Sequence, residues 1–151
     1  MLEIKPVSYS EILDAPNSAE LLAEYSEECS IPEIGKGWPC RELYGLMEKS
    51  GVFQAFGVYD EDGELMGFAA VNVFPLAHYG KTIATTESIF IAYNHRRNGA
   101  GTKLKAFIKQ YAKNRGCVAF QYVAPFKSRF EKLLASDKGC RRTGSVFTES
   151  L

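Results

Sequence analysis

The passage that most restricts this 151-residue chain is Thr86-Glu87-Ser88-Ile89-Phe90-Ile91-Ala92-Tyr93-Asn94-His95-Arg96-Arg97-Asn98-Gly99-Ala100-Gly101-Thr102. An apolar, strand-like run ends in a short polar loop with glycines at 99 and 101. From there Ala100, Leu104, Phe107, Ile108 and Tyr111 recur at helical spacing toward Arg115, and Gly116 stands where a C-terminal cap glycine belongs. The first turn of such a helix leaves backbone N–H groups without internal partners, and the macrodipole adds to their preference for an anion. Glycines on the loop remove side chains that would hold a phosphate away from those donors.

Two familiar phosphate loops fail on spacing. A nucleotide-hydrolysing loop needs G-x-x-x-x-G-K-[ST], and here the lysine, Lys103, follows two residues after the second glycine. A dinucleotide fingerprint needs a third glycine where this chain has Leu104.

The rest of the chain supplies a mixed set of elements. Residues 2–7 read as a strand and Ser8–Leu13 as a helical turn. Asn17 or Ser18 caps a helix whose face carries Leu21, Leu22, Tyr25 and Cys29. After a Pro/Gly loop from Ile31 to Gly37, a helix from Pro39 to Lys49 places Cys40, Leu43, Tyr44 and Met47 in one stripe. Val52–Tyr59 and Leu65–Phe74 form a hairpin about Asp60-Glu61-Asp62-Gly63, and a strand runs from Thr82 to Ala92. Beyond the helix Gly99–Arg115, Val118–Val123 reads as a strand buried on both faces. Pro125 opens a helix with Phe126, Phe130, Leu133 and Leu134 on one side, and Arg142–Thr148 is a last strand. The order β-α-α-β-β-β-α-β-α-β implies an α+β (mixed α/β) fold, one domain over residues 1–151 with helices against a central sheet.

The pattern Arg96-x-x-Gly99-x-Gly101, after an apolar strand and opening an amphipathic helix, resembles the acetyl-CoA-binding motif [RQ]-x-x-G-x-[GA] of the GNAT superfamily of N-acetyltransferases. The next strand and a helix containing Phe130-Glu131-Lys132-Leu133 follow in that family's order, so the resemblance covers about residues 86–134. It implies a mostly antiparallel sheet and acetyl-CoA as co-substrate, with no metal. The implied cofactor contacts are the amides of Arg97, Asn98, Gly99, Ala100, Gly101 and Thr102 for the pyrophosphate, with Arg96 as the motif's basic residue. The backbone of Phe90, Ile91 and Ala92 would meet the pantetheine arm. A neutral amine is required for attack, because a primary ammonium with pKa about 10.4 is almost wholly protonated near neutral pH. Glu87 is the candidate base, on the strand face shared by alternation with Ile89 and Ile91; an exposed carboxylate or a partner for an arginine is the plainer role.

The family's usual tyrosine acid falls at Phe130, which has no proton to give, and Tyr122–Ser128 lacks the asparagine often found there. Tyr122 is the first substitute, with Tyr93 and Ser128 as others, and a thiolate is also competent to leave unassisted. Tyr93 stands where the family commonly has proline. These departures keep open a catalytically degenerate module that binds protein or nucleic acid.

The net charge of zero conceals an asymmetry: residues 1–64 sum to −10 and residues 65–151 to +10. The basic half includes Arg96, Arg97, Lys103, Lys105, Lys109, Lys113 and Arg115 without an intervening acid. The first of these suit CoA phosphates, whereas Lys109 and Lys113 lie too far along the helix and leave a nucleic-acid role as the minor alternative. In the acidic half Glu24, Glu27, Glu28, Glu33, Glu42 and Glu48, near Trp38 and Tyr44, point to a cationic amine acceptor, small molecule or protein. Cys29, Cys40, Cys117 and Cys140 are too dispersed for a zinc site and read as free thiols. No apolar run of membrane-spanning length and no leader pattern occurs, so the expectation is a soluble cytoplasmic protein, with a homodimer compatible.

Overall fold

A computed structural model describes residues 1–151. The elements are β1 (Glu3–Val7), α1 (Tyr9–Leu13), α2 (Ser18–Cys29), α3 (Arg41–Lys49), β2 (Phe53–Tyr59), β3 (Leu65–Leu76), β4 (Lys81–Ile91), a 3₁₀ turn at Tyr93–His95, α4 (Ala100–Asn114), β5 (Ala119–Gln121) and α5 (Arg129–Ser136). The five strands lie in chain order in one sheet; β1 to β4 are antiparallel and β5 runs parallel to β4. This is the expected α+β architecture. No helix is long and apolar enough to cross a membrane.

Alternation along the strands builds a core on each face of the sheet. Ala55, Phe68, Ala70 and Phe90 meet Tyr9, Ile12, Leu21 and Leu22 of α1 and α2. Phe56, Ala69, Val71, Ala84 and Ile91 meet Ala100, Leu104, Ile108 and Ala112 of α4. Two β-bulges adjust the phase. One skips Met66, and the other leaves Glu87 of β4 unpaired, because Ser88 faces Ala70 and Thr86 faces Val71. Simple alternation therefore misassigns Glu87, as described below.

Several expected boundaries move. The helix read from Pro39 starts at Arg41, and only Tyr44 and Met47 of its apolar residues pack inward; Leu43 and Cys40 are exposed. The strand read as buried on both faces is a three-residue edge strand with exposed Val118 and Val123, because nothing pairs with its outer side. The helix read from Pro125 begins at Arg129: Lys127 adopts a left-handed conformation (φ 61°), and the Ser128 hydroxyl caps the first turn by accepting from the Glu131 N–H at 3.1 Å. Phe126 is left outside the helix and 79% exposed. The last strand expected at Arg142–Thr148 is absent. That segment has no strand partner, and Phe147 is 91% exposed.

The end of β4 is held against β3 at very short range. Gly67 pairs with Ile91, and a Cβ there would lie 2.5 Å from the Phe90 carbonyl oxygen and 2.6 Å from Ile91 Cδ1. The backbone oxygen cannot swing aside as a side chain could. Gly67→Ala is therefore expected to lower stability by about 2 kcal/mol and the thermal midpoint by several degrees. An unchanged midpoint in thermal unfolding would show that the strand pair can yield at no cost.

Candidate active site

The site begins where β4 loses β5. The two strands pair only at Ile83–Thr85 with Ala119–Gln121, and one further bond ties them, from the Val123 N–H to Thr86 Oγ1 at 2.8 Å. Beyond Thr86, β4 continues to Ile91 with β3 alone. Ala92 donates its N–H to Met66 O on β3, so alternation turns the polar groups of Ile91 and Ile89 to the opposite, open edge. Of Phe90, Ile91 and Ala92, it is thus Ile91 whose N–H faces the opening. Its carbonyl accepts from Arg96 Nε at 2.8 Å.

At the end of this edge the chain passes through the 3₁₀ turn into α4. Gly99 is the N-cap residue in the left-handed region (φ 78°), with open space where a Cβ would stand, and no side chain caps the helix in its place. The Ala100 N–H is already taken by Asn98 Oδ1 at 3.1 Å. The Gly101 and Thr102 amides have no acceptor in the chain, and both residues are exposed. This is a helix N-terminus with free donors and a positive dipole end. Arg97 and Lys103 are exposed beside it and make no ion pair.

Arg96 faces the other way. Its guanidinium pairs with Glu28 of α2 at 2.5 Å and lies 4.4 Å from the Tyr93 ring centroid and 5.0 Å from that of Phe90. Glu24 of α2 accepts the Tyr93 N–H at 3.0 Å. The loop is therefore bolted to α2 by two glutamates that sequence reading assigned to an acceptor wall, and the motif arginine shapes the loop from behind. Glu48 is also committed, accepting the Tyr9 N–H at 2.6 Å, which leaves Glu27 and Glu33 exposed and unpaired and Glu42 exposed with only the Cys40 thiol donating to it, at 3.4 Å.

The bulge puts Glu87 on the face of α1, α2 and α3, opposite the α4 face occupied by Ile89 and Ile91, which corrects the expected shared face. The Tyr44 hydroxyl donates to Glu87 Oε1 at 2.9 Å. Tyr44 stacks on buried Tyr9 with centroids 3.7 Å apart and planes 7° from parallel, while Tyr25 meets Phe68 and Phe90 edge-on. Burial, then the Glu87 charge, pushes the Tyr44 phenol well above its usual range; burial does the same to Tyr9 and Tyr25. In the sequence Tyr44 belongs to the apolar stripe of its helix and neighbours the acidic residues. No local pattern joins it to Glu87, 43 residues away.

Tyr122 lies on the other face, toward α4. Its ring stacks on Phe120, meets Phe130 edge-on and lies 4.8 Å from Lys105 Nζ, and its hydroxyl is buried with no hydrogen-bond partner. The structure does not bring Tyr122 and Glu87 together; the two flank the sheet from opposite sides. Lys105, at the start of the expected basic stripe, pairs with Asp137 at 2.9 Å and so anchors the end of α5 to α4. Ser128 is spent on capping α5, and Tyr93 is packed against Arg96.

The strand edge open beyond Thr86 thus ends at a helix N-terminus with free amides, and a carboxylate, Glu87, stands at its start. The chain matches the family model described as Acetyltransferase (GNAT) family over residues 17–129, and it belongs to that family of acetyltransferases. Similar solved structures include a ribosomal-protein-alanine N-acetyltransferase from Brucella melitensis biovar Abortus 2308, with 18% identity, coverage of 99% of each chain and a TM-score of 0.74. An aminoglycoside acetyltransferase from an uncultured soil metagenomic sample has 16% identity, with 99% of this chain and 96% of that chain covered and a TM-score of 0.75. Glucosamine-6-phosphate N-acetyltransferase from Arabidopsis thaliana has 14% identity, with 99% and 97% covered and a TM-score of 0.72. No curated protein matches the chain in sequence. At these identities the structures share the fold.

Behind the loop, burial and then the neighbouring Glu28 charge push the Cys29 thiol up to about 12. Alkylation requires thiolate, which at pH 8 is then on the order of one molecule in ten thousand. Iodoacetamide at pH 8 should modify exposed Cys40 and leave Cys29 unlabelled in the native protein, with labelling of Cys29 restored by denaturant. Mass spectrometry of the digested protein reads both, and rapid native labelling of Cys29 would contradict the packing of α2 against the loop.

Proposed function

We propose that the protein is an N-acetyltransferase that transfers the acetyl group of acetyl-CoA to a primary amine by direct attack in a ternary complex. The observation that carries this reading is the β4 edge freed beyond Thr86 and ending at the uncapped N-terminus of α4. The Gly101 and Thr102 amides, with Arg97 and Lys103 beside them, would hold the pyrophosphate. The pantetheine arm would lie along β4 as an added strand, and the outward Ile91 N–H would donate to the thioester oxygen. That donor would stabilise the oxyanion of the tetrahedral intermediate, a contribution of about 3 kcal/mol where comparable donors have been removed.

Glu87 would take the proton of the attacking amine, directly or through water, from the α1–α3 side. The neutral amine nitrogen then bonds through its lone pair to the carbonyl carbon, the nitrogen, now cationic, loses its second proton to solvent water, and the intermediate collapses with cleavage of the C–S bond to release the amide and CoA thiolate. Tyr122, on the opposite side of the opening, is the proton donor proposed for that thiolate. Its unpartnered hydroxyl supports the assignment, and burial keeps its phenol protonated above the usual range. The acceptor is a cationic amine entering from the side of Glu27, Glu33 and Glu87, a class that includes polyamines, aminoglycosides, lysine side chains and amino termini.

Calorimetry should show acetyl-CoA binding at one site per chain. Steady-state assays over a panel of amines should show turnover favouring cationic acceptors, with kcat lowered about 100-fold or more by Glu87→Gln. Turnover restricted to anionic acceptors would overturn the acceptor class, and full activity in Glu87→Gln would remove Glu87 as the base.

A further inference from the structure

We propose that Tyr44 is the positioning residue for Glu87, its phenol fixing the carboxylate in the orientation that meets the incoming amine. The inference rests on the reading of Glu87 as the base and adds the group that holds it there.

Glu87 occupies the one position on β4 that the bulge leaves without a partner on β3, so the strand ladder does little to define where its side chain points. It makes no ion pair, and its side chain has a single hydrogen bond, from Tyr44 Oη at 2.9 Å. Tyr9 from α1, Tyr25 from α2 and Tyr44 from α3 face it, and no lysine, arginine or histidine forms an ion pair with it. Only the Tyr44 hydroxyl reaches the carboxylate; the Tyr9 hydroxyl is buried without a partner.

The donor is itself immobilised. Tyr44 lies flat on Tyr9, which is fully buried, and its ring also meets Phe53 at 5.3 Å. The Tyr9 backbone is pinned in turn by Glu48, one helical turn beyond Tyr44 on the same helix. α1 and α3 are thereby clamped together with the phenol projecting toward β4. Because the phenol stays protonated well past neutral pH, it donates continuously. It does not compete for the amine's proton, since the oxygen of a neutral phenol is a far weaker base than the carboxylate it donates to. One carboxylate oxygen is spent on Tyr44 and the other, Oε2, is left free for the amine.

The test is a double-mutant cycle with Tyr44→Phe and Glu87→Gln, using acetyl-CoA and the best cationic amine of the panel. Tyr44→Phe keeps the stacked ring and loses only the hydroxyl, and its thermal midpoint confirms that the fold is intact. It should lower kcat roughly 10- to 100-fold while leaving the KM for acetyl-CoA unchanged, because the carboxylate is misplaced and the cofactor groove is untouched. In the Glu87→Gln background the same change should have almost no further effect, since there is no base left to position. Multiplicative losses in the double mutant, or an unchanged kcat in Tyr44→Phe with Glu87→Gln inactive, would overturn the role of Tyr44 and leave Glu87 standing as base. Full activity in Glu87→Gln would overturn both.

Discussion

The bulge at Glu87 is the constraint on which the arrangement of this molecule turns. Before it, Ala84 points toward α4; after it, Phe90 points toward α1 and α2, although the two are an even number of positions apart. One extra residue thus reverses the phase of β4, so that Ile89 and Ile91 seat α4 while Phe90 joins Phe68 and Tyr25 on the far side. A regular strand would have to bury one of these sets against the wrong helices. The same residue also marks the height at which β5 stops pairing, so the change of phase and the opening of the edge occur together.

What sequence could reveal divides along the range of the forces involved. The helix Ala100–Asn114 and the hairpin turn ending at Gly63 were legible because their signals are local: helical spacing of apolar residues, a left-handed glycine at each end of the helix, and another in the turn. The glycine loop was legible for the same reason. The bulge was not, since two strands must be in register before one residue can be seen to be extra. Nor were the Arg96–Glu28 and Tyr44–Glu87 contacts, which join residues 68 and 43 positions apart. The segment Arg142–Thr148 shows the opposite error. Its composition suits a strand, but composition alone does not make one: the segment pairs with nothing, although the outer side of β5 is open.

The charge asymmetry of the two halves also acquires a different meaning. A substantial part of the negative half is consumed inside the molecule: Glu24 and Glu28 secure the loop, Glu48 holds α1, and Asp14 pairs with Arg41. The Arg96–Glu28 pair joins charges from the two halves of the chain, Glu24 holds the Tyr93 N–H of the same loop, and α2 thus braces a basic loop with two carboxylates. Glu27 and Glu33 are left exposed without such a structural task.

The unpaired length of β4 carries a hazard that its position removes. Exposed strand edges with free N–H and C=O groups are templates for other chains, and proteins ordinarily shorten, charge or cover them. Here the bare edge lies inside the sheet, between β3 and a β5 that remains attached at its base. A slender linear molecule can enter such a slot, but a second sheet cannot approach it broadside. The protein can thus leave a stretch of backbone unpaired by any strand without inviting aggregation at that stretch.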